Sequence, residues 1–186
     1  MPFGFYIIMV AQFFSALADN ALLIVAIAAL REMQAPAAYE PLLKTFFTVS
    51  YVALAAFVGA FADSMPKWRV MFISNAIKVI GCAMMFFGAH PLIAYAVVGL
   101  GAAAYSPAKY GILTEYLPHR LLVVANGWSE GLTVGAIILG VVIGGMLIRP
   151  EFAHALLAFD FPLIDTGIDT TGEMAVAVIG VLYVIA

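Results

Sequence analysis

Six apolar runs, most of them longer than the ~18 residues that mark a membrane-spanning helix, leave this chain few folds to choose from. They cover Phe5–Leu30, Leu42–Ala62, Val70–Gly88, Leu92–Leu113, Leu121–Ile148 and a last stretch from Met174 to Ala186. To carry such runs into water a domain needs a charged shell, and soluble domains devote roughly 25% of their residues to it. Here 10% are charged and 65% hydrophobic, with a mean hydropathy of +1.09. The solvent is therefore lipid. Lipid offers no partners to an open backbone, so the spans are helices. The expected fold class is an all-α integral membrane protein, multi-pass, with six transmembrane helices over residues 1–186. The sixth run holds only ~13 residues and falls short of the ~20 a span requires, so it reads as a truncated helix of a longer fold.

The same composition narrows function. Cys82 is the only cysteine, which rules out an internal disulfide framework or a thiolate metal site. The net charge of −3 is thinly spread, without the basic cluster that nucleic acid demands. His90, His119 and His154 are isolated and read as surface residues, with no second ligand at metal-site spacing. No nucleophile–base pairing or phosphate-cradling glycine loop stands out. The expectation is a non-enzyme without cofactor or metal. The N-terminus enters its apolar run without a basic leader and reads as a retained first helix.

Orientation should follow the Lys/Arg asymmetry of alternate loops. Lys67, Arg69 and Arg120 lie on one side, and Arg31, Lys44 and Arg149 on the other, so the count is tied. The loop Arg149–Glu173 is acidic through Glu151, Asp160, Asp165, Asp169 and Glu173, but acids influence topology little. Between the second and third runs the chain reads Gly59-Ala-Phe-Ala-Asp63-Ser-Met-Pro-Lys67-Trp-Arg69. A glycine permits close helix approach, and an acid at a helix end with bases beyond can hold a short hairpin. Gly59, Asp63, Lys67 and Arg69 together resemble the signature loop of the major facilitator superfamily, with Ser64 and Pro66 departing from a usual base and a usual glycine. That resemblance implies a cytoplasmic hairpin, a cytoplasmic 118–120 turn, and an acidic loop outside.

Three further stretches carry the resemblance closer. They are Ala11-Gln-Phe-Phe-Ser-Ala-Leu-Ala-Asp19-Asn20 in the first run, Gly101-Ala-Ala-Ala-Tyr105-Ser-Pro107-Ala-Lys109-Tyr110-Gly in the fourth, and Val124-Ala-Asn126-Gly127 with Glu130 in the fifth. Together they resemble the bacterial lysophospholipid transporter family. Such proteins have about twelve helices in two six-helix halves, of which this chain would be the N-terminal half, with the C-terminal half absent. The resemblance implies transport of lysophospholipids across the bacterial inner membrane for re-acylation, with an acyltransferase on the cytoplasmic face as a possible partner. The alternative is a proton-coupled exporter of drugs or other amphipathic solutes. Gly131, Gly140 and Gly144 partly match an antiporter motif, but Gly145 stands where that motif has proline. A non-transporting scaffold for a lipid acyltransferase is a third class.

Ionisable residues inside a span are costly and therefore functional candidates; here they are Asp19, Lys78, Lys109 and Glu130. Gln12, Ser15 and Asp19 recur at three- and four-residue spacing, which puts them on one helical stripe, with Asn20 adjacent. Asp19 is expected to bind a cationic headgroup or couple conformation, or else to pair with a base in the absent half. Lys109 follows Pro107, whose ring weakens the local ladder, and its ammonium suits a phosphate, with Tyr105 and Tyr110 offering hydroxyls. Its other reading is a lysine paired to Glu115 near the cytoplasmic face. Asn126 and Glu130 form an i,i+4 pair. Lys78, at matching depth, is expected to bridge Glu130, unless Lys109 does. Glycines 127, 131 and 135, continued by 140 and 144, are expected to be packing positions.

Overall fold

The computed structural model describes residues 2–152 and 170–186. Its elements are α1 (Phe3–Glu32), α2 (Tyr39–Asp63), α3 (Lys67–Phe86), α4 (Pro91–Tyr116), α5 (His119–Leu147) and α6 (Thr171–Ile185). Each helix overlaps one apolar run, and most begin a few residues earlier than the run. Prolines explain several starts: Pro66 and Pro118 occupy N-cap positions and Pro91 is the first residue of α4, where a missing N–H costs nothing. Thr170 and Glu173 close a reciprocal capping box on α6. At the far end of α3, Gly88 adopts φ +80° and Ala89 donates back to the Met84 carbonyl at 2.9 Å, a left-handed stop that glycine supplies without strain.

Length and apolar content qualify α1, α3, α4 and α5 as membrane spans. α2 qualifies only when Tyr39–Leu54 and Ala56–Asp63 are joined across a 64° bend. α6 has 15 residues, about 22 Å at helical rise, and is shorter than a span. By this measure the six expected spans are, among the described residues, four, or five with α2. Of the acidic loop, Asp160, Asp165 and Asp169, with His154, lie outside the described residues.

The helices alternate in direction. Phe5 and Met9 of α1 pack with Leu113, Leu117 and Ala125 at the end that also holds the 63–67 hairpin. α3 lies along α4, α1 along α5, and α2 along α4, while α6 packs on both α1 and α3. The main core joins Leu22, Val25 and Leu30 of α1 to Cys82, Val98, Ile179 and Tyr183.

Within this chain the glycine expectation is met at two of the five positions. A Cβ on Gly140 would lie 2.5 Å from the Leu17 carbonyl oxygen, and one on Gly144 would lie 2.7 Å from that of Ala21, so these two residues let α5 press on α1. Gly127, Gly131 and Gly135 meet nothing within 4 Å, and neither does Gly59. The four-residue repeat runs along a side of α5 that turns away from α1, so among the described residues it packs on nothing.

Candidate functional site

Five helices enclose a polar cavity of about 330 Å³. α1 contributes Gln12, Ser15, Asp19 and Asn20 to its wall, and α4 contributes Tyr105, Lys109 and Tyr110. The stripe read from the first run therefore does face protein and cavity. Close approach of α3 to α4 sets the opposite wall: a Cβ on Gly101 would stand 2.6 Å from the Ser74 carbonyl oxygen and 2.8 Å from Lys78 Cγ. That contact holds the lysine stem between two helices and turns its ammonium toward α1.

Lys78 and Asp19 form the central pair. Lys78 Nζ donates to Asp19 Oδ2 at 2.8 Å and to Ser15 Oγ at 2.9 Å, and Ser15 donates onward to Asn75 Oδ1 at 3.0 Å. The second Asp19 oxygen, Oδ1, accepts from the Tyr183 hydroxyl at 2.8 Å, and the Asp19 backbone carbonyl accepts from Tyr95 at 3.3 Å. The ammonium also stands 5.0 Å from the Tyr105 ring centroid and 5.7 Å from that of Tyr183, within cation–π range. The lysine side chain is 2% exposed and the aspartate 16%, so the acid faces the cavity while the base is sealed in protein. Two expectations are corrected here. Lys78 does not bridge Glu130, because Asn75 and Lys78 turn toward the α1 stripe. Asp19 finds its base within this chain rather than in an absent half.

A second pair lies on the other side of the cavity. Lys109 Nζ donates to Thr133 Oγ1 at 2.8 Å and reaches Glu130 Oε1 at 3.4 Å, which also accepts from the Tyr110 hydroxyl at 3.0 Å. The Lys109–Glu130 bridge stands as expected, and Glu115 is not its partner. α4 runs unbroken through Pro107. Glu130 is half exposed and holds Lys109 from outside the lining. Asn126, one turn away, is exposed and does not reach the cavity; the i,i+4 pair splits because Glu130 leans to α4 and Asn126 does not. Asn20 lines the wall but spends its amide on the Ala16 carbonyl at 2.8 Å.

The hairpin is held as its residues suggest, with Lys67 Nζ 2.6 Å from Asp63 Oδ1 and 2.8 Å from the Ala62 carbonyl. Arg69 stacks its guanidinium 5.1 Å from the Trp68 ring instead of joining that pair. His90 accepts from the Leu92 N–H at 3.3 Å and so caps α4. An apolar groove of about 460 Å³ runs between α1 and α5, walled by Phe5, Met9, Phe13, Trp128 and Leu132.

Sequence reasoning missed Tyr95, Tyr183 and Lys44. The tyrosines were assigned to packing and interfaces, and nothing local marks them as partners of Asp19. Lys44 was counted only as a loop charge, although Lys44, Thr48 and Tyr51 follow an i, i+4, i+7 spacing that would have placed them on one face.

Helices apolar enough to cross a bilayer, packed around a cavity lined by charged side chains, define a multi-pass membrane protein. The chain belongs to the Major Facilitator Superfamily, whose family model matches residues 8–162. It is 48% identical over 144 residues to the lysophospholipid transporter LplT of Yersinia enterocolitica, covering 77% of this chain and 36% of that protein. The corresponding transporter of Klebsiella pneumoniae is 46% identical over 154 residues, 83% of this chain and 39% of that protein. The chain thus spans little more than a third of the length of the curated relatives it matches.

Proposed function

We propose that the chain is the N-terminal six-helix half of a secondary transporter that moves lysophospholipids across the bacterial inner membrane for re-acylation. The observation that carries this reading is a polar cavity lined by Asp19, Lys78 and Lys109 together with an apolar groove, both walled in part by α1 and α5. A lysolipid has an anionic phosphate, often an amine, and one acyl tail. Lysine suits the phosphate, a carboxylate suits the amine, and the aromatic groove suits the tail. The similarity to two lysophospholipid transporters supports the same substrate class. A C-terminal half would complete the cavity, and rocking of the halves about it would give alternating access.

Within this reading Asp19 and Asn20 lie on the substrate side of α1, and Tyr105, Lys109 and Glu130 on that of α4 and α5. Asn126 falls out of the set unless the second half brings it a contact. Gly59, Asp63, Lys67 and Arg69 would act on the balance of access states. An acyltransferase on the cytoplasmic face remains a proposed partner. The test is reconstitution of the full-length gene product in vesicles with labelled lyso- and diacyl-phospholipids. Movement of the lysolipid alone is expected. Movement of neither, or export of amphipathic cations driven by a pH gradient, would overturn the reading.

A further inference from the structure

The charged residues on the cavity wall are Asp19, Lys44, Lys78 and Lys109. Asp19 answers Lys78, and Glu130 answers Lys109. Lys44 has no ion-pair or hydrogen-bond partner among the described residues. Among the described residues, the uncompensated charge on the cavity wall is therefore one positive charge, and it belongs to α2. Its level is fixed by Phe47, which follows Lys44 by three residues and stacks on Tyr95 at 5.2 Å, the same Tyr95 that reaches the Asp19 carbonyl. Lys44 thus sits three residues, about 4.5 Å at helical rise, beyond the Tyr95 level, toward the end remote from the 63–67 hairpin.

A second observation points the same way. The Tyr105 hydroxyl and the Gln12 amide nitrogen belong to cavity-lining residues and are buried without a hydrogen-bond partner among the described residues, and their residues are only 6% and 5% exposed. Buried donors without acceptors are rare in folded proteins. Neither atom has open surface on the cavity as it stands, so an oxygen-rich acceptor inside the cavity would satisfy both once the wall gives way enough to expose them. A free cation at the mouth and two idle donors within make a path for an anionic oxygen cluster.

We propose that Lys44, with Thr48 and Tyr51 on the same face of α2, is an anion-capturing subsite at that mouth, which takes the phosphate of an incoming lysolipid before it reaches Tyr105 and Gln12. The proposal rests on the lysolipid-carrier reading and adds an order of contacts to it. With the hairpin on the cytoplasmic side, the subsite opens on the opposite face of the membrane. Its effect is therefore one-sided, which a structural role for Lys44 would not be.

The experiment uses the full-length gene product and measures uptake of labelled lysophosphatidylethanolamine in spheroplasts, which present substrate from outside, and in inverted membrane vesicles, which present it from the cytoplasmic side. Lys44→Gln should raise KM about fivefold in spheroplasts, the upper end for one exposed ion pair, and leave KM in inverted vesicles unchanged. The spheroplast effect should shrink as salt is raised, and Lys44→Arg should restore it. An equal KM change from both sides, an unchanged KM, or a loss of Vmax that tracks membrane abundance would overturn the subsite. Absence of lysolipid uptake by the wild-type protein would instead overturn the carrier reading beneath it.

Discussion

Asp19 and Lys78 are unequal partners, and their inequality predicts an order of mutational damage. Lys78 is 2% exposed and Asp19 16%. Replacing Asp19 by Asn strips the counter-charge from an ammonium that has Ser15 Oγ as its other hydrogen-bond acceptor. Breaking a buried pair from the side that leaves a sealed charge costs about 3–5 kcal/mol. Replacing Lys78 by Met leaves an acid that keeps the Tyr183 hydroxyl and an open side toward the cavity, so its cost is nearer the ~1–3 kcal/mol of one unsatisfied polar group. In the double variant no buried charge remains. It should therefore be more stable than Asp19→Asn alone, which requires a coupling larger than the Lys78→Met cost, about 2–3 kcal/mol and within the range for contacting residues. Thermal unfolding of the purified full-length protein in detergent, read for all four members of the cycle, measures this directly. Asp19→Asn milder than Lys78→Met, or a double variant as unstable as the sum of the singles, would refute the idea that the lysine is the sealed member.

Three further outcomes are expected. Gly140→Leu should destabilise by about 1–3 kcal/mol, the scale of overpacking, because even its Cβ would stand 2.5 Å from the Leu17 carbonyl; detergent stability reads it against Gly144→Leu, which should fail alike. Lys109→Met should cut lysophospholipid transport far more than membrane abundance, and equal losses of both would give Lys109 a folding role. Asp63→Asn should loosen the Asp63–Lys67 contact and shift inward against outward accessibility, measured by cysteine labelling from each side, while the affinity of the competent state stays unchanged.

How much of this could be read from residues depends on the range of the interaction. Helix positions follow from apolar length and proline, both local, so the observed elements overlap every run. The Gln12–Ser15–Asp19 stripe was legible because helical periodicity is also local. The partner of Asp19 was not. Asn75 and Lys78 form a matching polar stripe on α3, but which stripe faces which depends on helix rotation, and here that is set by Gly101 pressing α4 onto α3. Tyr183 reaches Asp19 across 164 positions of sequence, and no pattern near either residue announces it. The same limit explains Asn126, which shares a helix face with Glu130 by spacing, yet only Glu130 is long enough and placed to meet Lys109 and Tyr110.

The unpacked glycines follow from one physical asymmetry. α1, α3 and α4 carry most of the buried residues, whereas α5 is only 22% buried over its most apolar window. Gly59 in α2 and Gly127, Gly131 and Gly135 in α5 are open to 4 Å, while Gly140 and Gly144 lie tight against α1. Small residues are retained in membrane helices where another helix approaches closely, so the open glycines of α2 and α5 fit contact with helices outside this chain. Lys44 does not share that explanation, because it lines the cavity rather than an outer face. Two of the five cavity helices, α2 and α5, therefore present small residues on an outer side, and α2 also turns Lys44, Thr48 and Tyr51 to the cavity.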